Sequence, residues 1–287
     1  MARPTYSFEF FPPKSLEASF RLWDTIHALA PLDPAFVSVT YGAGGTTREL
    51  THEAVTTIGK TTGLRVAAHL TCVNATRDET LAIARGYADA GVTDIVALRG
   101  DMPGGAPFEA HPGGFANSVE LVEALHATGD FTLHVGAYPD RHPDATTDSS
   151  DVEHLKRKVD AGAKTAITQF FFDTETYFRF RDRCVAAGID APIIPGILPI
   201  ENWKGVRKFA ASCGTPIPAE LDTAFAEAER DSSSDELSKR LATEMCETLI
   251  AGGVEHLHFY TLNKPHLTRD VIASLGLAPR SALDHVA

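Results

Sequence analysis

Arg65-Val66-Ala67-Ala68-His69-Leu70-Thr71-Cys72 is the stretch that decides the fold. Read as a strand, it places Ala67, His69 and Thr71 on one face and Val66, Ala68, Leu70 and Cys72 on the other. One face is apolar throughout, whereas the other mixes small residues with an imidazole and a hydroxyl. A parallel strand with helices packed outside it and a polar-tinged interior on its other side produces that pattern. Residues 131–138 repeat it, with Thr132, His134, Gly136 and Tyr138 opposite Leu133, Val135 and Ala137.

Working outward, one unit recurs along the chain: a β-branched or aromatic run, a loop, then an amphipathic stretch. Strands are expected at 6–11, 36–41, 65–72, 94–98, 131–138, 165–172, 193–198 and 256–262. Helices are expected between them. The first, 17–30, carries Phe20, Trp23, Ile26, His27 and Ala30 at helical spacing, and Thr76-x-x-Glu79 has the spacing of a capping box. Eight such units point to a closed (β/α)8 TIM barrel; an open doubly wound sheet is the alternative. No Gly/Ser or Pro-rich linker divides residues 1–287, so a single barrel domain is expected. An acidic, Ala/Ser-rich insertion at 215–235 is expected to be partly helical and solvated.

The composition is that of a globular protein, 44% hydrophobic and 22% charged. A net charge of −12 disfavours nonspecific binding to nucleic acid or an anionic membrane. There is no apolar signal region and no run of membrane-span length. The four cysteines form no CxxC pair, which suits reduced thiols in a cytoplasm. Among twelve histidines none shows a zinc-ligand spacing, so His256 and His258, two apart on one strand face, read as interior histidines.

In a parallel barrel the strand ends open on one face, where barrel active sites sit. Glu9, in Ser7-Phe8-Glu9-Phe10-Phe11-Pro12-Pro13, lies opposite Phe8 and Phe10 at the end of the first strand. Burial would raise its pKa and suit it to be a general acid; a solvated glutamate on an edge strand is the plain alternative. The other ends bring Thr40-Tyr41, His69, Arg99-Gly100-Asp101, Tyr138, Gln169 and Tyr260 to the same rim. Polar groups among aromatic surfaces suit a flat heterocycle. Gly42-Ala43-Gly44-Gly45-Thr46-Thr47 fails as a dinucleotide fingerprint because Thr47 holds the third glycine position. Lys156, Arg157 and Lys158 could complement a helix C-terminus or reach a diphosphate, and on sequence mechanics the first reading is the stronger. The glycines between Asp101 and Gly114 suit either a lid or an ordinary long loop.

Taken in order, SFEFFPP (7–13), FVSVTYGA (36–43), AHLTC (68–72), IVALRGD (95–101), AYP (137–139), LKRKVDAGA (155–163), AITQFFFD (166–173), IIPGILP (193–199) and HFYTLN (258–263) resemble bacterial methylenetetrahydrofolate reductase. The resemblance runs from Ser7 to about Leu277. It implies a (β/α)8 barrel with FAD at its C-terminal face, NADH as hydride donor and ping-pong hydride transfer to 5,10-methylenetetrahydrofolate. It implies that Glu9 is the general acid that opens the folate ring, and that Asp101 is a carboxylate between flavin and pterin that tunes the flavin. FAD contacts are implied at Thr40, Tyr41, Ala43, His69, Arg99, Gly100, Asp101, Ala116, Tyr138, His142, Asp151 and Lys158, which reverses the reading of Lys158. Substrate contacts are implied at Glu9, Asp101, Gln169, Phe209 and Lys264. Two positions depart from the enterobacterial pattern: Lys264 replaces an arginine and Gly205 a glutamine, so a point charge stands where a guanidinium fork would. The loop after Asp101 is a few residues longer. The resemblance also implies a cytoplasmic enzyme without a C-terminal regulatory domain, and exposed helix faces leave room for a homo-oligomer. A flavin-independent reductase, a pterin-binding methyltransferase barrel and a non-catalytic binding barrel are the competing readings.

Overall fold

Among the described residues, nine parallel strands make one sheet: β1 (Thr5–Phe10), β2 (Phe36–Val39), β3 (Val66–Thr71), β4 (Asp94–Leu98), β5 (Thr132–Ala137), β6 (Thr165–Thr168), β7 (Ile193–Ile194), β8 (Gly196–Ile197) and β9 (His256–Tyr260). The computed structural model describes residues 3–279 other than 143, 144, 146 and 148. Sheet order is β7-β6-β5-β4-β3-β2-β1-β9-β8. Strands β7 and β8 are two halves of one stave, broken at Pro195, which has no N–H to give a ladder. One half pairs with β6 and the other with β9, so the ring closes and the open-sheet alternative falls away. The expected unbroken strand over 193–198 is corrected on that account.

Helices follow the strands: α1 (Leu16–Leu29), α2 (Arg48–Thr62), α3 (Arg77–Asp89), α4 (Ser118–Thr128), α5 (Ser150–Asp160), α6 (Thr174–Ala186), α7 (Trp203–Cys213), α8 (Ala219–Arg230), α9 (Ser234–Ala251) and α10 (His266–Ser274). None is long and apolar enough to cross a membrane. Local chemistry starts several of them. Ser15 caps α1, Asn117 caps α4, and Thr76 and Glu79 complete the expected capping box on α3. Helix α1 buries Leu22, Thr25, Ile26 and Leu29 with Trp23 packed beside them, so Trp23 and Ile26 lie on the inner face as expected while Phe20 and His27 face outward. The insertion is also corrected. Helix α8 is not merely solvated: Phe225 is buried and stacks on Trp203 at 4.8 Å and 11°.

The strand faces divide as the alternation demands. Phe8, Phe10, Val37, Val39 and Ala68 point outward against the helices, packing with Ile26, Leu29, Val55, Ile58, Leu249 and Ile272. Inside the ring, Phe36, Ala67, Val96, Ile167 and Ile194 form an apolar plug. Below it, Asp94 is fully buried and accepts two hydrogen bonds from Arg65 at 2.7 and 2.6 Å, with Thr93 at 2.7 Å and His134 at 3.1 Å. Burial pushes the Asp94 carboxyl up, but the hydrogen bonds from His134, Arg65 and Thr93 and the guanidinium charge outweigh it, holding the pKa at about 2. The floor of the barrel is therefore closed, and the site lies at the other end.

Candidate active site

Parallel register puts Glu9 level with Ser38 on one side and Tyr260 on the other. Because Phe8 and Phe10 face the helices, Glu9 faces the interior, with its side chain 14% exposed at the base of the mouth. Oε2 lies 3.2 Å from His69 Nε2 and 3.5 Å from His258 Nε2. Burial raises the carboxyl, as expected, but the charge of His69 and the contacts of His258 and His69 outweigh it and hold the pKa at about 2. The expected direction is thus reversed by two imidazoles from distant strands. Glu9, His69 and His258 thus form one carboxylate–imidazole cluster. Ser38 Oγ and Thr71 Oγ1 are buried beside it without a protein hydrogen-bond partner, the condition of groups that meet a polar ligand or water.

The end of β1 is clamped in place. Thr261 Oγ1 donates to the Glu9 carbonyl at 2.7 Å, and Asn263 exchanges two hydrogen bonds with the Phe11 backbone at 2.9 and 3.0 Å. Leu262 and Asn263 adopt left-handed backbone to make that turn. Across the mouth, Tyr260 donates to the Thr168 carbonyl at 2.7 Å.

Two large cavities open among the strand-end loops. One, of 380 Å³, is lined by Arg99, Gly100, Asp101, Ala116, Tyr138, His142, Asp151 and Lys158. Lys158 is buried and donates to the Gly136 carbonyl at 2.5 Å; burial lowers its pKa to about 8, while Asp151 pulls the other way. Helix α5 therefore turns this lysine into the barrel mouth, away from the dipole-capping role that sequence mechanics favoured. Asp151 accepts from the His142 amide at 3.1 Å, and Tyr138 meets the His142 ring edge-on at 4.4 Å. Burial, with the charge of Asp101 next, raises the Tyr138 hydroxyl to about 12. Gly100 has φ +85, and a Cβ there would lie 2.7 Å from Val73 and 2.8 Å from Thr71. Asp101 is exposed at the rim, and its carbonyl accepts from Gly44 N at 2.9 Å, tying the two rim loops together. The loop after it is anchored further by the Arg99 guanidinium, 4.9 Å from the Phe108 ring.

The second cavity, of 560 Å³, contains Thr40, Tyr41, Gly42 and Thr47 together with Lys14 and Arg21. Arg48 donates to the Tyr41 hydroxyl at 3.1 Å, and Thr47 accepts from Gly42 N at 2.7 Å. Ala43 opens the turn Ala43–Gly45, and its side chain lies outside the described residues. On the far side, Gln169 is half-buried and bonds the Cys213 thiol, while Phe209 stacks on Phe170 at 5.4 Å. Lys264 pairs with Glu201 at 3.5 Å in a small cleft that includes Gly205. The expected residues thus fall in three groups at the strand ends, with Glu9 and His69 paired in the barrel interior.

The family model for methylenetetrahydrofolate reductase matches residues 1–276. This chain belongs to the methylenetetrahydrofolate reductase family. Family membership makes it an oxidoreductase. It is 47% identical over 274 residues to the 5,10-methylenetetrahydrofolate reductases of Salmonella typhimurium and Escherichia coli, covering 95% of this chain and 91% of each relative. An Arabidopsis thaliana relative, methylenetetrahydrofolate reductase (NADH) 1, is 39% identical over 294 residues, covering 97% of this chain and 49% of that one. In fold, the chain is similar to a Clostridium thermocellum protein that binds two copies of 5-methyl-5,6,7,8-tetrahydrofolic acid, with a TM-score of 0.61, 15% identity, and coverage of 98% and 96%.

Several members of this reductase's site escaped the sequence reading. Glu201 meets Lys264, and His154 lines the 380 Å³ cavity and contacts Ser118 at 3.1 Å. Burial, followed by the charges of Lys158 and Arg157, lowers His154 to about 4. Its signal was present, since Asp151, His154, Arg157 and Lys158 recur at helical spacing on one face. His258, read from the sequence as an interior histidine, is one, and it reaches Glu9 from below.

Proposed function

We propose that this chain reduces 5,10-methylenetetrahydrofolate to 5-methyltetrahydrofolate, with FAD at the barrel mouth and NADH as hydride donor, in a ping-pong sequence. The observation that carries the reading is the Glu9 carboxylate held by His69 and His258 inside a barrel whose strand-end loops enclose two large cavities, in a chain 47% identical to named reductases. The residues fit FAD on their own chemistry. A buried lysine beside Arg99 and Arg157 offers cationic donors for a diphosphate, Gly100 permits close approach of a ligand to the backbone, and Tyr41 and Tyr138 supply aromatic edges. When bound, the flavin supplies storage of a hydride between two substrates.

The chain's own groups act on the proton and on orientation. Glu9 protonates the departing folate nitrogen as its bond to the bridging carbon breaks, and the carbon becomes the hydride acceptor. Asp101 at the rim pairs with the amino-pyrimidinone edge of the pterin. Phe209 packs against a ring, and Gln169 serves nicotinamide and folate in turn. Lys264 offers its ammonium to the glutamate carboxylates and exchanges Glu201 for them. One mouth with a closed floor requires the two substrates to alternate. We further infer that residues 1–287 form one catalytic domain acting in the cytoplasm as a homo-oligomer.

The test is the visible spectrum of freshly purified protein. A flavin spectrum that bleaches with NADH without oxygen and returns on adding methylenetetrahydrofolate is expected. Undiminished turnover in protein stripped of flavin would replace this reading by direct hydride transfer.

A further inference from the structure

We propose that a proton route climbs the barrel interior from its N-terminal floor to Glu9, through His256, Ser7 and His258. The inference rests on the function proposed above and adds how its acid is reloaded. Each turnover consumes one proton: the carbon–nitrogen bond breaks, its electron pair stays on the departing nitrogen, that nitrogen takes a proton, and the hydride adds to the carbon. Glu9 is left as a carboxylate and needs one proton back per cycle. Ligands stacked across the mouth cover the approach from above. The floor offers another way in.

The contacts form a series that is closed except at its last link. Exposed Thr5 places Oγ1 2.7 Å from His256 Nδ1; His256 Nε2 lies 2.8 Å from Ser7 Oγ; Ser7 Oγ lies 2.7 Å from His258 Nδ1; and His258 Nε2 lies 3.5 Å from Glu9 Oε2. Each imidazole is entered at Nδ1 and left at Nε2, so with Nε2 protonated every link has one donor and one acceptor. A proton taken up by His256 from the floor releases its Nε2 proton to Ser7. The Ser7 hydroxyl hands its own to His258, and His258 gives its Nε2 proton to Glu9. Such a relay needs neutral imidazoles. Burial keeps them so, lowering His256 to about 3 and pushing His258 down as well. The rings are held in order by Phe36, stacked on His256 at 5.6 Å and on His258 at 6.0 Å. The last link is the longest, and His258 Nε2 makes no hydrogen bond, so a small movement of the carboxylate towards it completes the path. The other groups that face Glu9 are His69, on the far side of the same oxygen, and the hydroxyls of Ser38 and Tyr260 at its level.

Ser7→Ala cuts the series at its centre while sparing every group at the mouth. In stopped-flow measurements on flavin-loaded protein, reoxidation by methylenetetrahydrofolate is expected to slow about 10-fold or more. Reduction by NADH, which needs no proton from Glu9, is expected to stay unchanged. The dependence of reoxidation on the D2O fraction should be curved in the parent, where several protons move, and linear in the variant. His256→Ala, at the half-exposed floor, should be rescued by added imidazole in reoxidation alone, and it serves if Ser7→Ala does not fold. In ligand-free protein, loss of the Ser7 hydroxyl should shift the imidazole nitrogen resonances of both His256 and His258. Equal slowing of both half-reactions, unchanged reoxidation and isotope dependence in Ser7→Ala, or His256→Ala indifferent to imidazole would each overturn the route. A parent protein that reduces no methylenetetrahydrofolate overturns the function and the route together; an active parent with a silent Ser7→Ala overturns the route alone.

Discussion

Replacing Lys158 by methionine is expected to make the protein more stable and worse at holding FAD. The lysine is buried, with its pKa lowered from 10.5 to about 8 by burial. At about 1.4 kcal/mol per tenfold change in proton affinity, its charged form costs the empty protein roughly 3 kcal/mol at neutral pH. Methionine fills similar space without charge but leaves the Gly136 carbonyl without its donor, a loss of about 1 kcal/mol where the cavity admits water. The net expectation is a gain of about 2 kcal/mol in urea unfolding of the flavin-free protein. Because the folded pKa lies below the unfolded one, the penalty is complete below about pH 8 and is relieved as pH rises towards about 10.4, so the variant's advantage fades over that window. A charge-assisted hydrogen bond to a diphosphate is worth about 1.5–3 kcal/mol, so FAD affinity, read by flavin fluorescence, should fall about 10- to 150-fold. A variant that loses stability and keeps its FAD affinity refutes the reasoning and makes Lys158 a structural residue.

Glu9→Gln should keep its flavin and its oxidation of NADH while folate reduction drops about 10²- to 10⁴-fold, checked by measuring the two half-reactions separately; equal folate rates would remove Glu9 from the mechanism. Asp101→Asn should weaken folate binding and raise the flavin potential in a redox titration, and an unmoved potential counts against the charge argument. Acid should unfold the protein through two carboxyls whose folded pKa values are about 2. Their stabilisation, roughly 2 to 3 kcal/mol each, is complete above the unfolded values near 4 and is lost as pH falls towards about 2. Asp94→Asn should flatten that acid limb of the stability curve, and a limb identical to the parent's would show that Asp94 does not set it.

The fold was legible because alternation is local. Phe8 and Phe10 against Glu9, and Leu70 against His69, declare in a few residues which side meets helices and which meets the interior. Phase within α1 was harder to read, since Phe20 is as apolar as Leu22 and only packing against the strands decides between them. Helix α8 looked solvated because its composition is acidic, and the burial of Phe225 depends on Trp203 from another helix. The same limit explains Glu9. Burial could be inferred from its neighbours, but the two imidazoles that reverse its pKa come from β3 and β9, and only ring closure brings them together. Lys158 likewise needed the direction in which α5 faces the mouth.

The break at Pro195 has a further consequence. Next to it, Gly196 donates to Thr168 Oγ1 at 2.9 Å, and a Cβ on Gly196 would collide with the Thr168 carbonyl and the Tyr260 ring. The thinnest joint in the wall is thus sealed by an aromatic residue that also borders the acid. Any side chain added at that point would push against the Tyr260 phenol, so tolerance to substitution should collapse there even though residue 196 lines none of the cavities described.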